Sequence, residues 1–322
     1  MVKVFRNICI SLMMLTVPLC LAGQEKGMEY HTLFVANPGV AGCEGNGTLR
    51  LSYMNYYPGY NYNLHSVTIS YDGYFSEVHG GAGFYLSNDY LGGIVNDLKG
   101  GFSYSYYFKA GSDLYFSPGL SASFTRRAFS FSGIVFPDQI DPLLGAVLTS
   151  SQVPADMSHT VFDLTAGTGI FYKGLFGGIS VSHLTQPDLS AGLSTESRIP
   201  RTLLLHLTGE TDISSAGNLR LRPAGKLEYH RGFVSGGGGA VIETNYFSAS
   251  TMLFYNNLKH TDIQTGIQVK VKDMKLFYAY RFNLAGGENL LPVSVLHSTG
   301  IALSLKNVDK RKTVKTINFP EL

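Results

Sequence analysis

The sequence has no tryptophan, only three cysteines among 322 residues, and 15% charged residues. Cys9 and Cys20 fall in the first 22 residues, which read as a secretory signal. Lys3 and Arg6 make a basic start, Ile8 to Ala22 is apolar and uncharged, and Ala22-Gly23 is a small-residue cleavage point. The apolar run, at about 15 residues, is shorter than the roughly 20 a spanning helix needs. With the signal removed, Cys43 stands alone, which excludes an internal disulfide. Beyond Ala22 no uncharged apolar run approaches helical length, so an exported chain of this kind is either soluble or crosses a membrane with strands. Net charge is +2, and without Lys3 and Arg6 the balance is 23 basic to 23 acidic, which offers nothing to nucleic acid. Walker, HExxH, CxxC and EF-hand patterns are all missing. Acids and histidines are scattered, so no catalytic residue, cofactor or metal is assigned and the chain reads as non-enzymatic.

What the chain has in abundance is glycine (37), tyrosine (20) and phenylalanine (20). Thr160–Leu184 shows how they are used. Phe162, Leu164, Ala166, Ile170 and Tyr172 alternate with Asp163, Thr165, Gly167 and Gly169, the period-two signal of a strand. Lys173-Gly174 is a tight turn, and a weaker alternation follows to Leu184. Each half has about ten residues, enough to cross a bilayer as a tilted strand.

Segments of this kind recur. The candidates are Thr48–Tyr56, Leu64–Phe75, Glu77–Asn88, Lys99–Lys109, Asp113–Thr125, Thr160–Tyr172 and Leu175–Leu184. Then come Arg201–Ile213, Asn218–His230, Phe233–Thr244, Tyr246–Asn256, Thr261–Val271, Met274–Ala285 and Val295–Lys306. They number about 14, an even number as single-chain bacterial barrels require. Gaps after even-numbered segments are very short, for example Ser76 and Lys173-Gly174. Gaps after odd ones are often long: Tyr57–Asn63, Asp89–Leu98, Arg126–His159 and Thr185–Pro200. Short periplasmic turns alternating with longer outer loops are the outer-membrane pattern, whereas a soluble β-sandwich has no reason to sort loops by parity. The expected fold is therefore an all-β transmembrane antiparallel barrel with both termini periplasmic. Its divisions are a signal (1–22), an N-terminal lead-in (23–47), the barrel (48–306) and a periplasmic tail (307–322) that carries Lys310, Arg311, Lys312 and Lys315.

The loop Arg126–His159 is long enough to be functional, either as a lumen plug or as an external docking surface with Phe136, Asp138 and Asp141 as candidate contacts. Two carboxylates are too few for calcium unless carbonyls join them. His183 and His206 read as hydrogen-bonded structural residues. The glycine run Gly236–Gly239 reads as a close backbone approach or a bend.

Four stretches resemble the PorP/SprF family of the Bacteroidetes. Phe34 with Asn37, Pro38, Gly39, Val40, Ala41 and Gly42 is similar to the family's Asn-Pro-Ala-x-Ala-Gly segment, with Gly39 where alanine is usual. Gly81–Asp89, ending in Asn88-Asp89, is similar to its Gly-rich strand. Gly167, Gly169 and Tyr172, then Gly178, Ser180, His183 and Leu184, are similar to its central hairpin, and Leu296-His297-Ser298 weakly resembles its last strand. Tyr56-Tyr57 replaces the family's usual Gln-Trp pair. The resemblance implies an outer-membrane barrel tied to type IX secretion and gliding. It implies export or surface anchoring of large proteins that bear a sorting domain, near a periplasmic peptidoglycan-binding lipoprotein. The rival expectations are a channel for small or hydrophobic solutes lined by residues such as Arg220, Arg222, Lys226 and Arg281, and a barrel enzyme or soluble sandwich.

Overall fold

The structure, a computed structural model, describes residues 32–45, 47–60, 64–131, 157–190, 198–213, 219–286 and 294–305, with a few positions between 135 and 146. Its 14 long strands are β1 (Thr48–Tyr56), β2 (Leu64–Phe75), β3 (Gly80–Leu91), β4 (Val95–Tyr106), β5 (Leu114–Phe129), β6 (Met157–Tyr172) and β7 (Leu175–Ser182). They continue as β8 (Thr202–Gly209), β9 (Leu219–His230), β10 (Phe233–Thr244), β11 (Phe247–Asn256), β12 (Thr261–Val271), β13 (Met274–Ala285) and β14 (Ser294–Ser304). Two-residue pieces, Phe108–Lys109 and Thr211–Asp212, extend β4 and β8. Each strand pairs antiparallel with its neighbour in sequence, and β14 pairs with β1 from Thr48↔Ser304 to Tyr56↔Leu296, so the sheet closes with no free edge.

The expected strands are all present, with shifted ends. Asp89–Leu98 is not a loop: β3 runs to Leu91, β4 starts at Val95, and Gly92-Gly93 turn with positive φ. The charged residues there are inward side chains of paired strands, with Asp89 opposite Asp97, while Tyr90 and its partner Asn96 lie on the outward parity. At the other end a 3-10 turn, Ser76–Val78, delays β3 to Gly80. β5 and β6 each outrun the expected span, and their ladder reaches Phe129↔Met157, so the long loop covers only residues 130–156. Most of that loop, Phe136 included, lies outside the described residues, as do the signal, residues 23–31 and the tail. Asp138 lies in a 3-10 turn, and Asp141 in a two-residue ladder with Gly145–Ala146.

The wall is apolar outside and polar inside. Phe162 is 76% exposed and Leu120 67%, whereas Asp163, next to Phe162, is 6% exposed on the inner face. Ile267 and Val269 face out and Asp262 and Gln268 face in. Leu227 and Tyr229 face out, and Arg222 and Lys226 face in. A sandwich would hide its apolar rows against a second sheet; here they form an outer belt of the kind lipid covers.

The interior is lopsided. On β3 to β7 the inward positions include Gly81, Gly119, Gly167 and Gly178, together with Ser105, Ser117 and Ser180. On β9 to β13 long side chains reach in. The Phe254 ring lies between Lys226 Nζ, 5.1 Å from its centroid, and Arg281 Cζ, 4.0 Å from it. Gly237 and Gly239 leave the room that Phe254 and Met252 occupy, because a Cβ at either would strike those side chains or the adjacent backbone. An eight-stranded barrel can be filled by side chains alone, but 14 strands enclose more than side chains fill. The remaining space on the glycine side is taken by the chain's own lead-in.

Candidate functional site

Residues 32–45 enter the lumen from the end with the short turns, where β1 begins. They form one helical turn, α1 (Leu33–Ala36), then Asn37, then a 3-10 turn at Pro38–Val40. Pro38 suits the first position of such a turn because its missing N–H has no partner there anyway. Leu33, Phe34, Val40 and Ala41 pack against Tyr74, Tyr107, Phe171, Phe176 and Leu204 of the wall. Phe171 and Phe176 stack with ring centroids 4.8 Å apart.

The polar contacts are made by wall side chains on the segment's backbone. The Ser180 hydroxyl donates to the Ala36 carbonyl at 2.7 Å, and Ser117 donates to that of Gly39. Ser105 and Tyr107 both donate to the Ala41 carbonyl at 2.8 Å. Asp72 accepts from the Gly42 N–H at 2.8 Å. Asn37, fully buried, donates from Nδ2 to His206 Nε2 at 2.9 Å and to the Thr168 carbonyl at 3.2 Å, while its Oδ1 accepts from Gly39 N–H at 3.0 Å. For Nε2 to accept, the His206 ring proton must sit on Nδ1.

Glycine makes the approach close enough for these bonds. A Cβ on Gly81 would collide with the Ala41 carbonyl and one on Gly167 with Asn37 Oδ1. One on Gly178 would lie 2.5 Å from Asn37 Nδ2, and one on Gly119 2.5 Å from Gly39 N. Gly42 combines close approach with φ +70, which only glycine adopts without strain.

An ion cluster fastens the end of the segment. Arg50 of β1 binds Glu44 at 2.5 Å and also Asp72, and the Thr48 hydroxyl donates to Glu44 at 3.0 Å. Burial alone would raise the Glu44 pKa, but Arg50, Lys275 and the Thr48 hydrogen bond bring it down to about 2. At Cys43, burial first, then the charges of Asp72 and Glu44, pushes the thiol well above its ordinary range, so it stays protonated.

The family described as type IX secretion system membrane protein PorP/SprF matches residues 29–294. The chain belongs to the PorP/SprF family. No curated protein matches it. Among solved structures, this PorP/SprF protein is similar to the toluene transporter TodX of P. putida at TM-score 0.51 and 12% identity, over 84% of this chain and 93% of that one. It is similar to a TodX deltaS2S3 mutant, a monoaromatic hydrocarbon channel, at TM-score 0.50 and 12% identity, over 90% and 96%. The outer membrane protein Omp33 of Acinetobacter baumannii matches at TM-score 0.46 and 8% identity, over 82% and 100%. At these identities the likeness is one of fold. Fold and family together place the PorP/SprF protein in the outer membrane as a β-barrel.

Of the residues that carry the family resemblance, the lumen seat unites Asn37, Pro38, Ala41, Gly42, Gly167, Gly169, Gly178 and Ser180. The others lie elsewhere. Asp89 takes hydrogen bonds from Lys99 and, at 2.6 Å, from Ser66 toward the long-loop end, and Asn88 precedes it on β3. His183 Nδ1 lies 2.5 Å from Asp163, which also accepts from Thr185 at 2.7 Å, and the Leu184 N–H donates to Leu164. Tyr172 faces outward under Lys173 Nζ, 5.4 Å from its ring centroid. Sequence reasoning did not anticipate the partnership of His206, Gly81, Gly119, Ser105, Ser117, Asp72 and Arg50 with the lead-in. The available signal was the density of glycine and serine on the inward parity of β3 to β7.

Proposed function

We propose that this protein is a non-enzymatic scaffold of the type IX machinery that assists export or surface anchoring of specific sorting-domain proteins. Its long-loop end faces outward and engages cargo. Its short-turn end faces the periplasm, where the basic tail Asn307–Leu322 meets a peptidoglycan-binding lipoprotein. The observation that carries this reading is the occupied lumen. Ser103, Ser105, Ser117 and Arg222 have no measurable exposure although they point inward, and Phe254 is equally buried. A water-filled conduit would wet such side chains. A rigid filled cylinder suits a frame that presents loops better than it suits a solute path.

The test is replacement of residues 130–156 by a two-residue Asn-Gly turn, which can close the hairpin at Phe129↔Met157 and leaves the Arg127–Asp97 ion pair in place. The expected result is normal insertion with loss of surface display of one cargo protein. Unchanged display of every sorting-domain protein would remove the docking role. Conductance or toluene uptake by the intact protein in liposomes would turn the reading toward a solute channel.

A further inference from the structure

We infer that the inner wall of β2 to β8 is a peptide-binding site, and that residues 33–44 are its tethered ligand rather than part of the barrel's fold. The cylinder closes without them: every strand pairs on both sides, and the segment adds no strand to the sheet. What holds it is the set of contacts that proteins use to hold a peptide. Wall hydroxyls bond three backbone carbonyls, those of Ala36, Gly39 and Ala41, and a carboxylate bonds one backbone N–H, that of Gly42. A side-chain pocket formed by Gly167, Gly178, Thr168 and His206 reads Asn37.

The vacant site would not be prohibitive. Its lining is mixed: water in an open lumen would satisfy the serines, Asp72 and His206, and the apolar part is confined to Tyr74, Tyr107, Phe171, Phe176 and Leu204. The ligand class follows from the geometry. A Cβ at Gly39 would lie 2.6 Å from the Ser117 carbonyl oxygen and 2.6 Å from Thr168 Cα, both backbone, so only glycine fits there. At Gly42 the positive φ again selects glycine. The occupant is therefore an Asn-Pro-Gly turn followed by small residues, with an aromatic three positions before the asparagine to fill the space Phe34 fills.

The experiment uses the full chain with a site-specific protease site inserted after Gly45, cut in detergent after folding. A fluorescent synthetic peptide of residues 32–45 is then added in excess. The expected result is exchange of the cut segment for the peptide with the barrel still folded by heat-modifiability. The same peptide with Asn37→Ala should bind at least about tenfold more weakly, and a cut barrel carrying Gly167→Val should not take up the parent peptide. Unfolding on cleavage, a cut segment that never exchanges, or equal binding of the Asn37→Ala peptide would each overturn the inference. None of these readouts involves cargo, so the proposed secretion role stands or falls separately.

Discussion

Asn37 and His206, 169 positions apart, meet at 2.9 Å inside the barrel, and the amide of one is the donor to the ring of the other. Asn37→Ala removes that donor and leaves the Gly39 N–H without its acceptor. Lost buried hydrogen bonds of this kind cost about 1–3 kcal/mol. The segment should then spend more time off the wall, and maleimide should label Cys43 faster than in the parent protein, with the site assigned by peptide mass. An unaltered labelling rate would mean that Asn37 does not hold the segment.

Gly39→Ala adds one methyl group, and here it should be harmful. The new methyl meets backbone of β5 and β6 at 2.6 Å, and backbone cannot swing aside as a side chain can. A cost of about 1–3 kcal/mol is expected for such overpacking. It should appear as a lower urea midpoint and faster Cys43 labelling, whereas Gly45→Ala, where nothing lies within 4 Å of the added methyl, tests the strain of its φ +73 alone.

Glu44 sets an acid limit on the seat. Its folded pKa of about 2 is below its usual 4.5. A depressed carboxyl contributes stability that is fully present above the unfolded pKa and is lost as pH falls through the folded one. The contribution, at most about 3 kcal/mol, should therefore fade between pH 4.5 and pH 2. Thermal unfolding across that range should show a decline in the parent protein that is smaller in Glu44→Gln. Equal declines in both would assign the acid sensitivity to other groups.

The outer belt predicts its own substitution pattern. Leu120→Arg places a charge on the lipid face of β5, at a cost that reaches about 2–4 kcal/mol near the bilayer mid-plane. Urea unfolding in phospholipid vesicles should show the loss. A loss just as large in a protein kept in detergent with no bilayer would argue against lipid as the cause.

On the opposite wall, Gly237→Val should drive Phe254 off its place between Lys226 and Arg281, because the added atoms would overlap the ring. Destabilisation of about 1–3 kcal/mol is expected. Thermal unfolding measures it, and Gly225→Val, at a position with far more open space, serves as the comparison.

The strands were legible because a barrel wall writes its two faces into alternate residues, as at Phe162-Asp163-Leu164-Thr165. Their ends were less legible. Arg126, Arg127 and Ala128 carry no apolar alternation, yet they pair with β6, and Asp89 and Asp97, which read as loop residues, face each other on the inner side of β3 and β4 across the tight Gly92-Gly93 turn. The seat of the lead-in was not legible. Residues 32–45 have no period of their own, and Asn37 finds its partners 131 and 169 positions away. The glycines that admit the segment read locally as weak strand positions, since a missing side chain does not say what fills its place.

Asn37 belongs to a stretch that leaves the export channel ahead of every strand, whereas its partner ring lies on the eighth. The niche it needs is built only when the strands from the second through the eighth have assembled, and the strand joined to it also forms the seam with the fourteenth. The segment therefore cannot take its seat before those strands are in place.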